Sequence, residues 1–249
     1  MSRTLNLLYK NHPYSTNAKN ANSKGKRNQK RKIEDLLKDL NPHGKNEDSD
    51  DEHDSDPDEF YHDEDVSCKD NTIFFKAAVS ESTVEKLIKI IDAKIRKYKK
   101  LASNKMLETC TPKPLYLHIT SYGGDLLACF RAIDAIKRSQ IPIYTVIDGY
   151  AASAATLMSI VGKKRYMTPN SYMLIHQLSS GSMGKFWEIK DDFENCETWM
   201  NDIYNLYLEN TNMSREDLEN HLSHDLWWKV DQCKSVGLVD EVYTHDNSL

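Results

Sequence analysis

The sequence has no apolar run long enough to cross a bilayer, and its N-terminus lacks the apolar core of a signal peptide. It also has no C-x-x-C pair. Its five cysteines are odd in number and widely spaced, which argues against structural zinc and for a reducing compartment: Cys68, Cys110, Cys129, Cys196 and Cys233. These absences predict a soluble, intracellular protein of the cytoplasm, without a metal site.

The phosphate-binding pattern G-x-x-x-x-G-K-[ST] is missing as well. We therefore expect no nucleotide cofactor in this chain, and any use of ATP would belong to a separate protein. The formal net charge is −5 and comes mostly from one acidic stretch, so the rest of the chain is close to neutral. A neutral domain does not indicate a nucleic acid or a membrane surface as partner.

The hydrophobic content of 39% is low for a fully globular chain. The deficit lies in residues 1–70, which hold a basic cluster at 24–32 and a dozen acidic residues at 47–65. Such self-repelling sequence with little apolar content predicts a disordered extension, followed by a folded domain at 71–249. The basic cluster is either a solvated tail, an anion-binding segment or a nuclear import signal.

Within 71–249, strands and helices alternate. Ile73–Phe75, Leu115–Ile119 and Ile141–Ile147 are typical of buried strands, and Ser82–Glu85 is typical of a capping box before a helix of about 18–20 residues. This order predicts an α/β fold with parallel strands and sites at the strand ends. A later helix, from Phe186 to about Leu208, is apolar on more than one side, which favours contact with a second subunit.

The stretch from Asp148 to Thr156 joins a strand to a helix through small residues. Gly149 permits a tight turn, and Ser153 is expected at the helix start, where backbone amides lack partners. An oxyanion formed by attack of Ser153 on a carbonyl could accept a hydrogen bond from the amide of Ala154. The structural alternative is that Ser153 is a simple N-cap between core elements.

His176 ends a predicted strand, and Asp225 lies in a later turn. With Ser153 they would form a nucleophilic set, because an imidazole activates a hydroxyl and a carboxylate orients the imidazole. Gly124, in a glycine turn, could supply a second amide to the oxyanion. Each residue also has an ordinary structural reading: a strand-end histidine, a turn aspartate and a tight turn.

Four motifs carry a resemblance to a known family: Ser121–Gly124, Gly149–Ser153, Pro169–Ser171 followed by Leu174–Gln177, and Gly237–Asp240. Residues 71–243 resemble the proteolytic subunit of the ATP-dependent Clp protease, the ClpP family of serine peptidases. From Pro169 to Asp240 the family pattern fits without a gap.

The resemblance implies a ClpP/crotonase-like ββα superhelix with a handle region that interlocks two stacked heptameric rings. It implies Ser153 as nucleophile, His176 as general base and Asp225 as orienting acid, with Gly124 and Ala154 as oxyanion-hole donors. The implied activity is endopeptidase cleavage of unfolded polypeptides inside a homo-oligomeric chamber. A separate AAA+ unfoldase of the Clp type is the implied partner, which would deliver these polypeptides to the chamber.

Some positions depart from the family pattern. Tyr122 replaces a proline, Tyr150 a glutamine, Ala154–Ala155 a Met-Gly pair, and Leu178 a proline. These substitutions leave open an inactive subunit that modulates a ring. A crotonase-like acyl-CoA enzyme is a further alternative, which would need a carboxylate in place of the Ser/His pair.

Overall fold

The structure is a computed structural model and describes residues 65–103 and 112–244. The elements follow one another as β1 (Val66–Lys69), β2 (Thr72–Phe75), α1 (Glu81–Ala102), β3 (Leu115–Ser121), α2 (Leu126–Arg138), β4 (Ile143–Ala152), α3 (Ala154–Ile160), β5 (Lys164–Met167), β6 (Tyr172–Leu174), α4 (Phe186–Asn210), α5 (Arg215–Leu222), β7 (Trp227–Trp228), α6 (Val230–Ser235) and β8 (Glu241–Val242).

The strands form one sheet in the order β1-β2-β3-β4-β5-β8, with β6 beside the end of β4 and β7 beside β6. Strands β2 to β5 and β8 run parallel, and β1 and β7 are antiparallel to their neighbours. Helices α1, α2 and α3 make the crossovers between the parallel strands. The predicted α/β fold with parallel strands is therefore confirmed, with two short antiparallel additions.

The core lies on one face of this sheet. In β3 the side chains of Leu115, Leu117 and Ile119 are buried, while Tyr116 and His118 between them are partly exposed. Each fully buried aliphatic side chain contributes about 1.5–3 kcal/mol of transfer free energy, so this alternation fixes the face that β3 turns towards the helices.

The start of the folded part differs from the sequence-based expectation. Strand β1 precedes Asn71, and the N-cap of α1 is Ser80, whose hydroxyl accepts a hydrogen bond from the amide of Thr83 while Thr83 caps the Ser80 amide in return. The predicted capping box at Ser82–Glu85 was therefore wrong. The helix predicted to follow it is present and has 22 residues. A serine two positions earlier offered the same chemistry.

Helix α4 has 25 residues, in agreement with the prediction of a long helix. Only Ile203 and Tyr207 in its C-terminal half are fully buried. Its first half exposes large apolar side chains, with Phe186 at 71% and Trp187 at 65% exposure, and also Ile189 and Phe193. Such a patch is typical of a protein interface.

The predicted charged extension falls almost wholly outside the described residues, and so does its basic cluster. Its disorder stays a prediction. Across 65–103 and 112–244, none of the helices combines the length and the apolar character that a membrane span requires.

Candidate active site

Ser153 lies at the junction of β4 and α3 in a rare backbone conformation, with φ 55° and ψ −130°. Within the described ranges, Asp70 is the only other non-glycine residue with positive φ. This conformation costs about 1–3 kcal/mol, and such strain is concentrated at functional sites. Ser153 does occupy the N-cap position of α3, as the structural alternative predicts, but its hydroxyl makes no capping hydrogen bond.

Strand β6 holds the backbone of this junction. The Ser153 amide donates to the Leu174 carbonyl at 3.0 Å, continuing the parallel pairing in which Ala152 lies beside Leu174. His176 follows Leu174 by two positions. The end of β4 and the exit of β6 therefore bring Ser153 and His176 to the same edge of the sheet.

The pairing of β6 with β7 brings Asp225 to His176. Met173 pairs with Trp228 and Leu174 with Trp227, and the same antiparallel register, extended by two residues, sets His176 opposite Asp225. Nδ1 of His176 lies 3.6 Å from Oδ1 of Asp225, a contact that becomes an ion pair when the imidazole is protonated. The amide of Gln177 also donates to the Leu222 carbonyl at 2.8 Å, which anchors α5 beside this contact.

The imidazole of His176 is only 13% exposed, whereas the carboxylate of Asp225 is 54% exposed. Burial lowers the pKa of His176 below its usual 6.5, and the nearby Asp225 charge opposes this shift in part. The imidazole is therefore mostly neutral at pH 7, which is the form that can accept a proton.

The turn Gly123–Gly124 packs directly on Ser153. Gly123 has φ +90°, and a Cβ there would stand 2.7 Å from Cβ of Ser153 and 2.9 Å from the Ala154 nitrogen. Its carbonyl accepts the Val79 amide at 2.8 Å, and its own amide donates to the Ser121 hydroxyl at 3.1 Å. These bonds fix the turn against the start of α3.

We expect Gly123→Ala to lower the free energy of unfolding by about 2–4 kcal/mol, because the new methyl group meets backbone in a conformation with positive φ. Gly181→Ala is the matched control, since a Cβ at Gly181 would meet nothing within 4 Å. Its effect should stay within about 0.5 kcal/mol. Denaturant unfolding of both variants measures the difference, and equal stabilities would contradict the close packing of this turn.

Two residues near Ser153 carry the backbone amides that the sequence predicted as oxyanion donors, Ala154 and Gly124. Ala154 is the first residue of α3, and an N–H at this position has no partner within its own helix. Gly124 follows Gly123 in the turn and is exposed. Gly123 thus contacts Ser153 and Ala154, and Gly124 is the next residue of the same turn. The His176–Asp225 contact lies just beyond β6, the strand whose Leu174 carbonyl accepts the Ser153 amide.

Three aromatic rings connect the segments of the site. The ring of Tyr122, next to the glycine turn, lies 4.3 Å from that of Tyr150 and 6.3 Å from that of Trp227. The sequence identified Tyr122 and Tyr150 as departures from the family pattern, but only the fold brings them together with Trp227. Their contacts tie together the glycine turn, the end of β4 and the strand after Asp225.

The structure contains a second histidine–carboxylate pair that was not predicted from the sequence. Nδ1 of His118 lies 3.3 Å from Oδ2 of Asp148. The imidazole packs between the rings of Phe74 and Tyr243, with centroid distances of 5.3 and 5.2 Å. The nearby hydroxyl of Thr120 donates to the Asp148 carbonyl at 2.6 Å, so this hydroxyl is already engaged with the backbone.

Other nucleophiles are less suited to chemistry. Cys129 and Cys233 are buried free thiols, and burial raises the pKa of Cys233 to about 12. Among residues 65–103 and 112–244, no three or more His, Cys, Asp or Glu side chains are grouped so as to hold a metal ion.

Comparison with known proteins places this chain in a family. The profile described as Clp protease matches residues 68–246. ATP-dependent Clp protease proteolytic subunit 1 of Chlamydia abortus is 33% identical over 148 residues, or 57% of this chain and 77% of that protein. Proteolytic subunit 2 of Treponema denticola is 33% identical over 132 residues, covering 52% and 66%.

Subunit 1 of Chlamydia trachomatis serovar D is 29% identical over a longer stretch of 182 residues, which is 71% of this chain and 88% of that protein. The profile match covers every element described above except the first two residues of β1. The chain belongs to the Clp protease family.

Proposed function

We propose that this chain is a serine endopeptidase in which Ser153 is the nucleophile, His176 the general base and Asp225 the residue that orients His176. The observation that carries the proposal is the strained backbone of Ser153, whose amide is hydrogen-bonded to Leu174 of β6. His176, two residues after Leu174, contacts Asp225. The amides of Gly124 and Ala154 are the proposed oxyanion-hole donors.

In the first half of the reaction, Oγ of Ser153 attacks the carbonyl carbon of the substrate peptide, and its proton passes to Nε2 of His176. Nδ1 of His176 faces Asp225, which leaves Nε2 for the hydroxyl. The tetrahedral oxyanion accepts hydrogen bonds from the two amides. His176 then gives the proton to the departing amine, and the C–N bond breaks to leave an acyl ester on Ser153.

The second half hydrolyses this ester. A water molecule loses a proton to Nε2 of His176 and attacks the ester carbonyl, forming a second oxyanion in the same hole. The C–O bond to Ser153 breaks, and the serine oxygen takes back the proton. In each half His176 returns the proton that it accepts. The proposed steps use only side chains, backbone amides and water, and therefore include no metal or organic cofactor.

Assembly belongs to the same proposal. The exposed aromatic side chains in the first half of α4 are suited to a contact with another copy of this chain, and the family resemblance points to stacked heptameric rings as the form of that contact. Unfolded polypeptides are the proposed substrates, and a separate AAA+ ATPase would deliver them. The rival reading, an inactive subunit within a ring, shares the assembly and lacks the chemistry.

A fluorophosphonate probe tests the chemistry, because it reacts covalently with an activated serine. We expect labelling of the wild-type protein at Ser153, identified by peptide mass. The labelling rate should rise with pH as His176 loses its proton and should reach half its plateau below pH 6.5, since burial lowers the pKa of this imidazole.

The pH profile needs a comparison within the same experiment. Intact-protein mass at each pH, with circular dichroism to show that the fold persists, separates titration from unfolding. Absence of labelling at every pH would favour the inactive subunit, and a half-plateau well above pH 6.5 would contradict a buried imidazole as the base.

A further inference from the structure

A chain of hydrogen bonds runs from helix α4 to the backbone of Ser153. The hydroxyl of Tyr207 lies 2.7 Å from the hydroxyl of Thr156, and the Thr156 hydroxyl donates to the Ser153 carbonyl at 2.6 Å. The Thr156 amide donates to the same carbonyl at 2.9 Å. Tyr207 is 1% exposed and Thr156 is fully buried, so no solvent competes for these bonds.

The direction of this chain follows from the count of protons. A threonine hydroxyl carries one proton, and the Ser153 carbonyl can only accept. The Thr156 proton therefore points at the carbonyl, and the Tyr207 hydroxyl must be the donor to Thr156. All donors in the chain thus point towards Ser153.

The carbonyl at the end of the chain shares its peptide group with the Ala154 amide. A peptide group is planar with its C=O and N–H on opposite sides, so fixing the direction of the Ser153 carbonyl also fixes that of the Ala154 N–H. Two hydrogen bonds to the carbonyl further polarise the group and make its N–H a stronger donor.

We propose that Tyr207 and Thr156 are positioning residues that hold and polarise the Ser153–Ala154 peptide so that the Ala154 N–H points at the oxyanion. The inference rests on the proposed function and adds to it two residues that touch no substrate. Burial raises the pKa of Tyr207 far above its usual range, so its hydroxyl keeps its proton at all physiological pH values.

The arrangement also connects the site with α4, the helix whose other end exposes Phe186 and Trp187. Tyr207 lies one turn beyond Ile203 on the buried half of that helix, and the contact with α3 is made there. A shift of α4 along its axis would draw the Tyr207 hydroxyl away from Thr156. The same helix, α4, therefore carries both the exposed aromatic patch and the hydrogen bond that leads to the Ser153 backbone.

Three variants test the proposal. Tyr207→Phe removes only the hydroxyl, and Thr156→Val removes the hydroxyl at nearly constant volume. We expect kcat for peptide cleavage to fall about fivefold to tenfold in the first and about tenfold or more in the second, with KM changed by less than about twofold, because an oxyanion donor acts mainly in the transition state. Thr156→Ser keeps a hydroxyl and should restore most of the lost rate.

Hydrogen exchange gives a readout that does not depend on catalysis. Peptides covering the first turn of α3 should exchange faster in Tyr207→Phe and Thr156→Val than in the wild-type protein. Tyr204→Phe is the matched control, since it makes the same change one turn earlier, on a ring that instead faces the guanidinium of Arg215 at 3.6 Å. It should alter neither kcat nor exchange.

Failure of the proposed function and failure of the positioning role give different results. A wild-type protein that neither cleaves peptides nor reacts at Ser153 overturns the proposed function and the predicted effect on kcat. Equal kcat and equal exchange in Tyr207→Phe and the wild-type protein overturn the positioning role alone. A fall in kcat that Thr156→Ser leaves uncorrected also overturns it, because a hydroxyl at residue 156 would then not be what matters.

Discussion

Replacing Ser153 with alanine is expected to reduce peptide cleavage by at least about 10⁴-fold, because the nucleophile is lost and only binding and the oxyanion hole remain. Alanine can take the backbone of Ser153 at the same steric cost, and the Ser153 hydroxyl makes no capping bond whose loss would weaken α3. The fold should therefore persist. Hydrolysis of a fluorogenic peptide measures the effect.

The control for this variant is Ser179→Ala, which makes the same change at an exposed position in the connector after β6. Its cleavage rate should match that of the wild-type protein. Particle mass in solution should be the same for all three proteins, since neither serine lies in α4. Undiminished cleavage by Ser153→Ala would refute the assigned nucleophile.

Replacing Asp225 with asparagine is expected to lower kcat by about 10²–10⁴-fold, because the amide no longer stabilises the imidazolium and can hold His176 in the wrong tautomer. The pKa of His176 should also fall further, since the Asp225 charge is what raises it against the effect of burial. The rise of the rate with pH should thus move to lower pH while the plateau drops. A pH–rate profile of kcat/KM records both changes.

Asp148→Asn is the matched control, because it removes the carboxylate from the other histidine–carboxylate pair, at His118. We expect it to leave cleavage and the pH profile unchanged. If Asp148→Asn reduced kcat as strongly as Asp225→Asn, the assignment of Asp225 would be wrong. A pH profile that moves upward in Asp225→Asn would contradict the sign of the interaction between Asp225 and His176.

The sequence predicted those parts of the fold that depend on local pattern. Alternating and β-branched residues identified β3 and the first half of β4, and the small residues around Ser153 predicted the start of α3 at its observed position. The tight turn predicted at Gly149 was wrong, since this glycine lies within β4. Ser214 caps α5 with Asp217 as its partner, a serine–aspartate spacing that is local in the same way. Local physics decides these features, because each involves residues within one turn or one strand.

Features that depend on distant contacts were missed. Strand β1 has four residues beside an acidic stretch, and only its pairing with β2 makes it a strand. Strand β4 continues past Gly149 to Ala152 because β6 offers a partner there. The Thr156–Tyr207 bond joins residues 51 positions apart, and neither residue type announces it.

The short ladder between β6 and β7 has a consequence for biosynthesis. On the assignment proposed here, the base and its acid belong to segments that leave the ribosome 49 residues apart, and the register that unites them exists only after Trp228 has been added. A nascent chain that ends before Asp225 contains Ser153 and His176 but lacks the carboxylate that would orient the imidazole. If the assignment holds, hydrolysis by this chain would begin only after nearly the whole domain has been synthesised.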